Sequence, residues 1–235
     1  MKWSVVLLAA SLLAASSAAA HDLWLESDQG RWSLRYGHLH DAGDHGATAL
    51  ELPPGWILGA RGLDADGAPF TLAAEAARAA GWPAGAPALL VATSSGVWTK
   101  STEGTRNLPP AELAHPLGSW RSLESVKGIA AWLPALAAPL GAELELSPLT
   151  NPLTLRPGDK VTVRVTRAGA PQSDVTVAYD GSPRGVTAAD GRVNVRLRRP
   201  GLQLIQATQE RLLVDDVADK VIETTALTFS IEDAR

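Results

Sequence analysis

Five histidines occur in this 235-residue chain, and three of them (His38, His40 and His45) fall in the run Gly37-His38-Leu39-His40-Asp41-Ala42-Gly43-Asp44-His45. A fourth, His21, follows Ser16-Ser17-Ala18-Ala19-Ala20, small residues of the kind found at a signal-peptide cut. Cleavage after Ala20 makes His21 the mature N-terminus. A terminal histidine offers a metal ion two nitrogens at once, because its α-amino group and its own Nδ1 close a six-membered chelate ring. An internal backbone nitrogen is an amide and must lose a proton to bind. The α-amine, with a pKa of about 8, is already partly free near neutrality. His38 and His40 raise the set to four nitrogen donors, and His45 supplies a further one from a glycine-flanked turn.

Nitrogen-rich ligation suits nickel, copper, cobalt or zinc and does not suit calcium or magnesium. The chain has no cysteine, which removes the soft donors that favour Cu(I) or structural zinc. Copper binds such a set most tightly in vitro whatever the physiological metal, so donor type alone does not name the metal. Asp22, Asp41 and Asp44 are placed to accept the second imidazole N–H, or else serve as ordinary turn and cap residues. His115, before Pro116, reads as a surface or core histidine outside the set.

The elements around these residues are short strands. Asp22 to Glu26 and Trp32 to Tyr36 pair through a turn at Asp28-Gln29-Gly30. Alternation puts Trp32, Leu34 and Tyr36 on one face and carries on to His38 and His40. The hairpin brings the start of its first strand, and with it His21, to the end of its second. Beyond Pro53-Pro54-Gly55, a strand is expected from Trp56 to Gly62 and a turn at Asp66-Gly67. A short helix over Ala73 to Ala80 follows, then two strands, Ala88 to Thr93 and Val97 to Lys100, around Ser94-Ser95-Gly96. Thr102 to Gly118, broken by three prolines, reads as an ordered surface loop.

Residues 1–20 are expected to be a signal peptide: Lys2 opens them, and the apolar run Val5 to Ala15 is too short to span a bilayer. The protein is accordingly placed in the periplasm, with no direct membrane insertion after cleavage. Two β domains are expected, an N-terminal metal-binding domain over 21–140 and a C-terminal one over 141–235. In the second, Lys160 to Thr166, Val175 to Val177, Arg192 to Leu197, Leu202 to Ala207 and Glu223 to Ile231 point to an immunoglobulin-like or prealbumin-like sandwich. The fold class is all-β. The chain carries 21 Lys and Arg against 25 Asp and Glu, a formal net charge of −4, and no basic stripe appears along it. Nucleic acid and anionic membrane are therefore not expected as partners.

Several segments together carry a family resemblance: His21 to Glu26, Tyr36 to His40, Trp98 to Asn107 and His115 to Trp120. Asn151-Pro152, Pro157-Gly158-Asp159, Ala178-Tyr179-Asp180-Gly181 and Ala189-Asp190-Gly191 complete the set. The chain resembles bacterial periplasmic components of nickel and cobalt uptake. Many of these are described only as a domain of unknown function, and some accompany energy-coupling-factor nickel transporters. The resemblance implies an accessory protein that binds Ni2+ or Co2+ through His21, His38, His40 and His45 and passes it to a membrane permease. Where such relatives have a histidine-rich loop after H-x-H, this chain has Asp41 to His45, a thinner supply of donors.

The leading expectation is thus a non-catalytic metal carrier, with Cu2+ also bound in vitro. A copper-dependent oxygenase using the N-terminal histidine as a brace is the rival from the enzyme class, although two more histidines fill positions that oxygen chemistry needs open. A non-catalytic adhesion or binding module is the third reading. No nucleophile elbow, phosphate loop or paired-carboxylate signature supports hydrolysis.

Overall fold

The computed structural model describes residues 22–39, 48–50, 52–79, 82–213 and 217–233. Among them the chain is all-β. The first strands are β1 (Asp22–Asp28), β2 (Arg31–His38), β3 (Thr48–Leu50), β4 (Ile57–Leu63) and β5 (Pro69–Ala73), after which comes the six-residue helix α1 (Ala74–Ala79). Next are β6 (Ala88–Ser101), β7 (Gly104–Arg106), β8 (Pro116–Ile129), β9 (Glu145–Pro148), β10 (Lys160–Arg167) and β11 (Ala170–Pro171). The last five are β12 (Thr176–Tyr179), β13 (Ser182–Val186), β14 (Arg192–Arg196), β15 (Gly201–Leu212) and β16 (Lys220–Ile231). No helix among the described residues is long and apolar enough to cross a membrane.

Three sheets form. β1, β2 and β3 make a small antiparallel sheet, and β10 pairs with β9, β11 and β14. Between them a nine-stranded sheet runs β13-β12-β15-β16-β8-β6-β4-β5, with β7 on β6. Period-two alternation makes this sheet a middle layer. Leu89, Val91, Val126, Leu204 and Ala226 join Leu23, Trp24 and Leu25 of the small sheet in one core. Ala88, Ile129, Ile205, Leu227 and Phe229 point the other way and join Leu146, Val161, Val163, Val165 and Val195. The result is a β-sandwich with a third layer added on one side.

β8 passes beneath β1 and β2 at Gly128, where a Cβ would stand 2.4 Å from Trp32 Cζ3 and 2.9 Å from Leu25 Cβ. Gly128→Ala is therefore expected to cost about 1–3 kcal/mol by overpacking, read as a lower urea midpoint. An unchanged midpoint would mean that the hairpin does not rest on this strand.

Several expectations change on folding. The two expected strands are one, β6, of 14 residues from Ala88 to Ser101, with register shifts between Thr93 and Gly96 and between Lys100 and Ser101. β8, itself 14 residues long, occupies part of the expected loop and runs on to Ile129. The division at 140/141 does not interrupt the middle sheet, because β16 pairs in parallel with β8 from Lys220↔Trp120 to Phe229↔Ile129. Cations isolated in the sequence also come together. Lys160, Thr162 and Arg164 alternate with buried valines on β10, and Arg196, Asn194 and Arg192 of β14 stand directly opposite them. The absence of a basic stripe is true of the linear sequence and not of this sheet face.

Candidate metal centre

The hairpin that positions the candidate site is fixed at both ends. Its two-residue turn, Gln29-Gly30, has φ of 46° and 75°, the sign pair that matches strand twist in a tight hairpin. The Gly85 amide donates to the Gly30 carbonyl (2.7 Å), and Trp32 Nε1 donates to the Ala86 carbonyl (2.9 Å). From the middle sheet, Thr228 Oγ1 donates to the Leu25 carbonyl at 2.9 Å. Trp32, Leu34 and Tyr36 pack on the core beneath, as the alternation predicts.

At the open end, Asp22 is paired opposite Gly37. The Asp22 carboxylate ties β1 to β15 and to the residue that follows β2. Its Oδ2 accepts the Leu39 amide at 3.2 Å, and its Oδ1 accepts Gln206 Nε2 of β15 at 3.1 Å. Asp22 follows His21, Gly37 precedes His38, and Leu39 lies between His38 and His40, so the neighbours of three candidate ligands meet at one point. His38 itself is half-buried at the end of β2, paired with Thr48 of β3. His21, His40 and His45, with Asp41 and Asp44, lie outside the described residues. Among the described residues no group of three or more His, Cys, Asp or Glu gathers as a metal site. His115 is exposed at φ 51°, in the left-handed region.

One carboxylate near this end escaped the sequence reading. Glu124 of β8 is half-buried, and burial pushes its pKa up. The Tyr36 phenol is also pushed up, first by its own burial and then by the charge of Glu124. The Tyr36 ring meets Trp56 edge-on at 5.9 Å. A raised carboxyl pKa means the folded state holds the proton more tightly than the unfolded one. Its favourable contribution is present at low pH and lost as pH rises through the folded value. Glu124→Gln is thus expected to raise the urea midpoint at neutral pH, and the gain is expected to vanish below about pH 4. A gain independent of pH would rule out this origin.

A cavity of about 330 Å³ is lined by Arg61, Leu123, Glu124 and Glu143, and one of about 530 Å³ sits at the turn end of the hairpin beside Gln29, Trp32 and Phe229. His38 lines neither.

The family described as Domain of unknown function (DUF4198) matches residues 18–211. The chain belongs to the DUF4198 family. The DUF4198 match begins before the hairpin, crosses the 140/141 position and ends within β15, ahead of β16. No curated protein matches the chain. A crystal structure of Dscam1 isoform 1.9, N-terminal four Ig domains, is 9% identical, with a TM-score of 0.23. The similarity covers 84% of this chain and 36% of that one, so the chain spans well under half of that structure's length.

Proposed function

We propose that this DUF4198 protein is a periplasmic metal carrier that captures Ni2+ or Co2+ and delivers it to a membrane permease of the energy-coupling-factor type. The ligands are the amine and imidazole of a processed His21 together with His38 and His40, with His45 within chain reach. The observation that carries the reading is the Asp22–Gly37 register, locked by the Asp22 carboxylate on the Leu39 amide. It joins the two segments that carry the donors through backbone pairing and one carboxylate, which lowers the ordering cost of binding. Imidazole and amine donors fit late first-row divalent ions, and the metal is cargo here, so no catalytic step follows.

The test is isothermal titration of Ni2+ into protein beginning at His21 and into a variant with one residue placed before it. The extension converts the amine into an amide, and affinity is expected to fall at least tenfold, by loss of a chelate donor. Equal affinities would sink the chelate. Mass spectrometry of exported protein supplies the companion check, with an N-terminus at His21 as the expected result.

A further inference from the structure

We propose that the outward face of β10 and β14 is an electrostatic docking surface for the headgroups of an anionic phospholipid bilayer. Two rungs of like charge face each other across this ladder, Lys160 opposite Arg196 and Arg164 opposite Arg192. Like charges directly opposite one another on a sheet are destabilising. They are nonetheless barely neutralised. Asp190 pairs with Arg192 at 3.1 Å, both half-exposed, and the Arg196 guanidinium donates to the Gly158 carbonyl. Lys160 and Arg164 form no ion pair among the described residues.

Between the rungs, Thr162 Oγ1 donates to Asn194 Oδ1 at 2.6 Å, which keeps the centre of the face small and polar.

That polarity chooses the class of partner. A protein interface draws its affinity from a desolvated aromatic or aliphatic anchor. The exposed large apolar side chains, Leu58, Leu108, Leu117, Val186, Leu212 and Val217, all lie off β10 and β14. A charged bilayer needs no anchor, only cations held within a Debye length of its surface. Neighbouring strands lie about 4.8 Å apart and alternate residues about 6.7 Å apart, so the four cations act together. At that range the net charge of the rest of the chain is largely screened.

The experiment is co-sedimentation of the full chain with phosphatidylcholine vesicles, with and without phosphatidylglycerol. The phosphatidylcholine arm measures whatever residues 1–20 contribute by themselves. Preferential binding to the phosphatidylglycerol vesicles, weakened by added salt, is the expected result. Lys160→Gln with Arg196→Gln, two exposed changes that leave the core alone, is expected to weaken it about twenty-five-fold, at roughly fivefold per charge. Absence of a phosphatidylglycerol preference would overturn the proposal, and so would undiminished binding by the double variant. Tighter binding to soluble polyglutamate than to vesicles would assign the face to an acidic protein instead and overturn it equally.

Discussion

Lys127→Met is expected to lower the free energy of unfolding by about 3–5 kcal/mol, the usual loss when one partner of a buried ion pair is removed. Lys127 and Glu145 are both wholly inaccessible, with Nζ 2.9 Å from Glu145 Oε1. The three N–H of the ammonium are shared among Glu145 and three further acceptors, Ser147 Oγ (3.0 Å) and the carbonyls of Leu136 (3.1 Å) and Ala138 (3.2 Å). Glu145 in turn accepts the amides of Leu140 and Gly141. The pair therefore fastens the 130–141 connection, which has little secondary structure of its own, to the middle sheet. Burial pushes the ammonium pKa down, while the charge and hydrogen bond of Glu145 oppose that shift. Methionine fills similar space but leaves a buried carboxylate and two carbonyls without their donor. Lys127→Met with Glu145→Gln together is expected to recover part of the loss, because no charge is then stranded. Urea unfolding of the single and double variants measures both. A single variant as stable as the parent would show that water reaches the site.

The second large effect is expected at Asp22. On the carrier reading, Asp22→Ala lowers Ni2+ affinity about 10–100-fold, the range typical of groups that orient metal ligands. The side chain removed is the one that accepts from Leu39 and Gln206. Its loss leaves those donors without their partner, which costs about 1–3 kcal/mol of stability if they stay buried. Gln206→Leu removes the β15 tether alone and is expected to give a smaller drop in affinity. Titration calorimetry with protein beginning at His21 separates the two roles. If stability falls while Ni2+ affinity holds, Asp22 is a structural clip and does not orient ligands.

Much of the fold was legible in the sequence where strands alternate cleanly. The β1–β2 hairpin, its turn, the β4–β5 turn at Asp66-Gly67 and the strands β10, β12, β14, β15 and β16 sit where alternation and turn residues put them, whereas β11 and β13 were not anticipated. β8 was missed because its inward positions do not look like a core. Ser125 and Lys127 face the sandwich interior and are buried through hydrogen bonds that only the folded chain supplies. Gly128 is small because Trp32 fills the space above it. Ser94-Ser95 looked like a turn, yet β6 absorbs the pair as a bulge that Ser94 Oγ closes on the Ser122 carbonyl at 2.8 Å. At the candidate centre, the sequence named His38 and the hairpin that carries it. It could not name Glu124 or Gln206, whose relevance comes from strands brought beneath and beside that hairpin by long-range pairing.

The parallel pairing of β8 with β16 joins positions that are a hundred residues apart, as in Gly128↔Thr228. Such a contact cannot form until nearly the whole polypeptide has been synthesised, and closing so long a loop is slow. Until then β8 keeps an open edge, and the middle layer cannot be completed. An unfinished sheet of this kind stays pliable until β16 arrives to close it. The same delay leaves an exposed strand edge that invites aggregation.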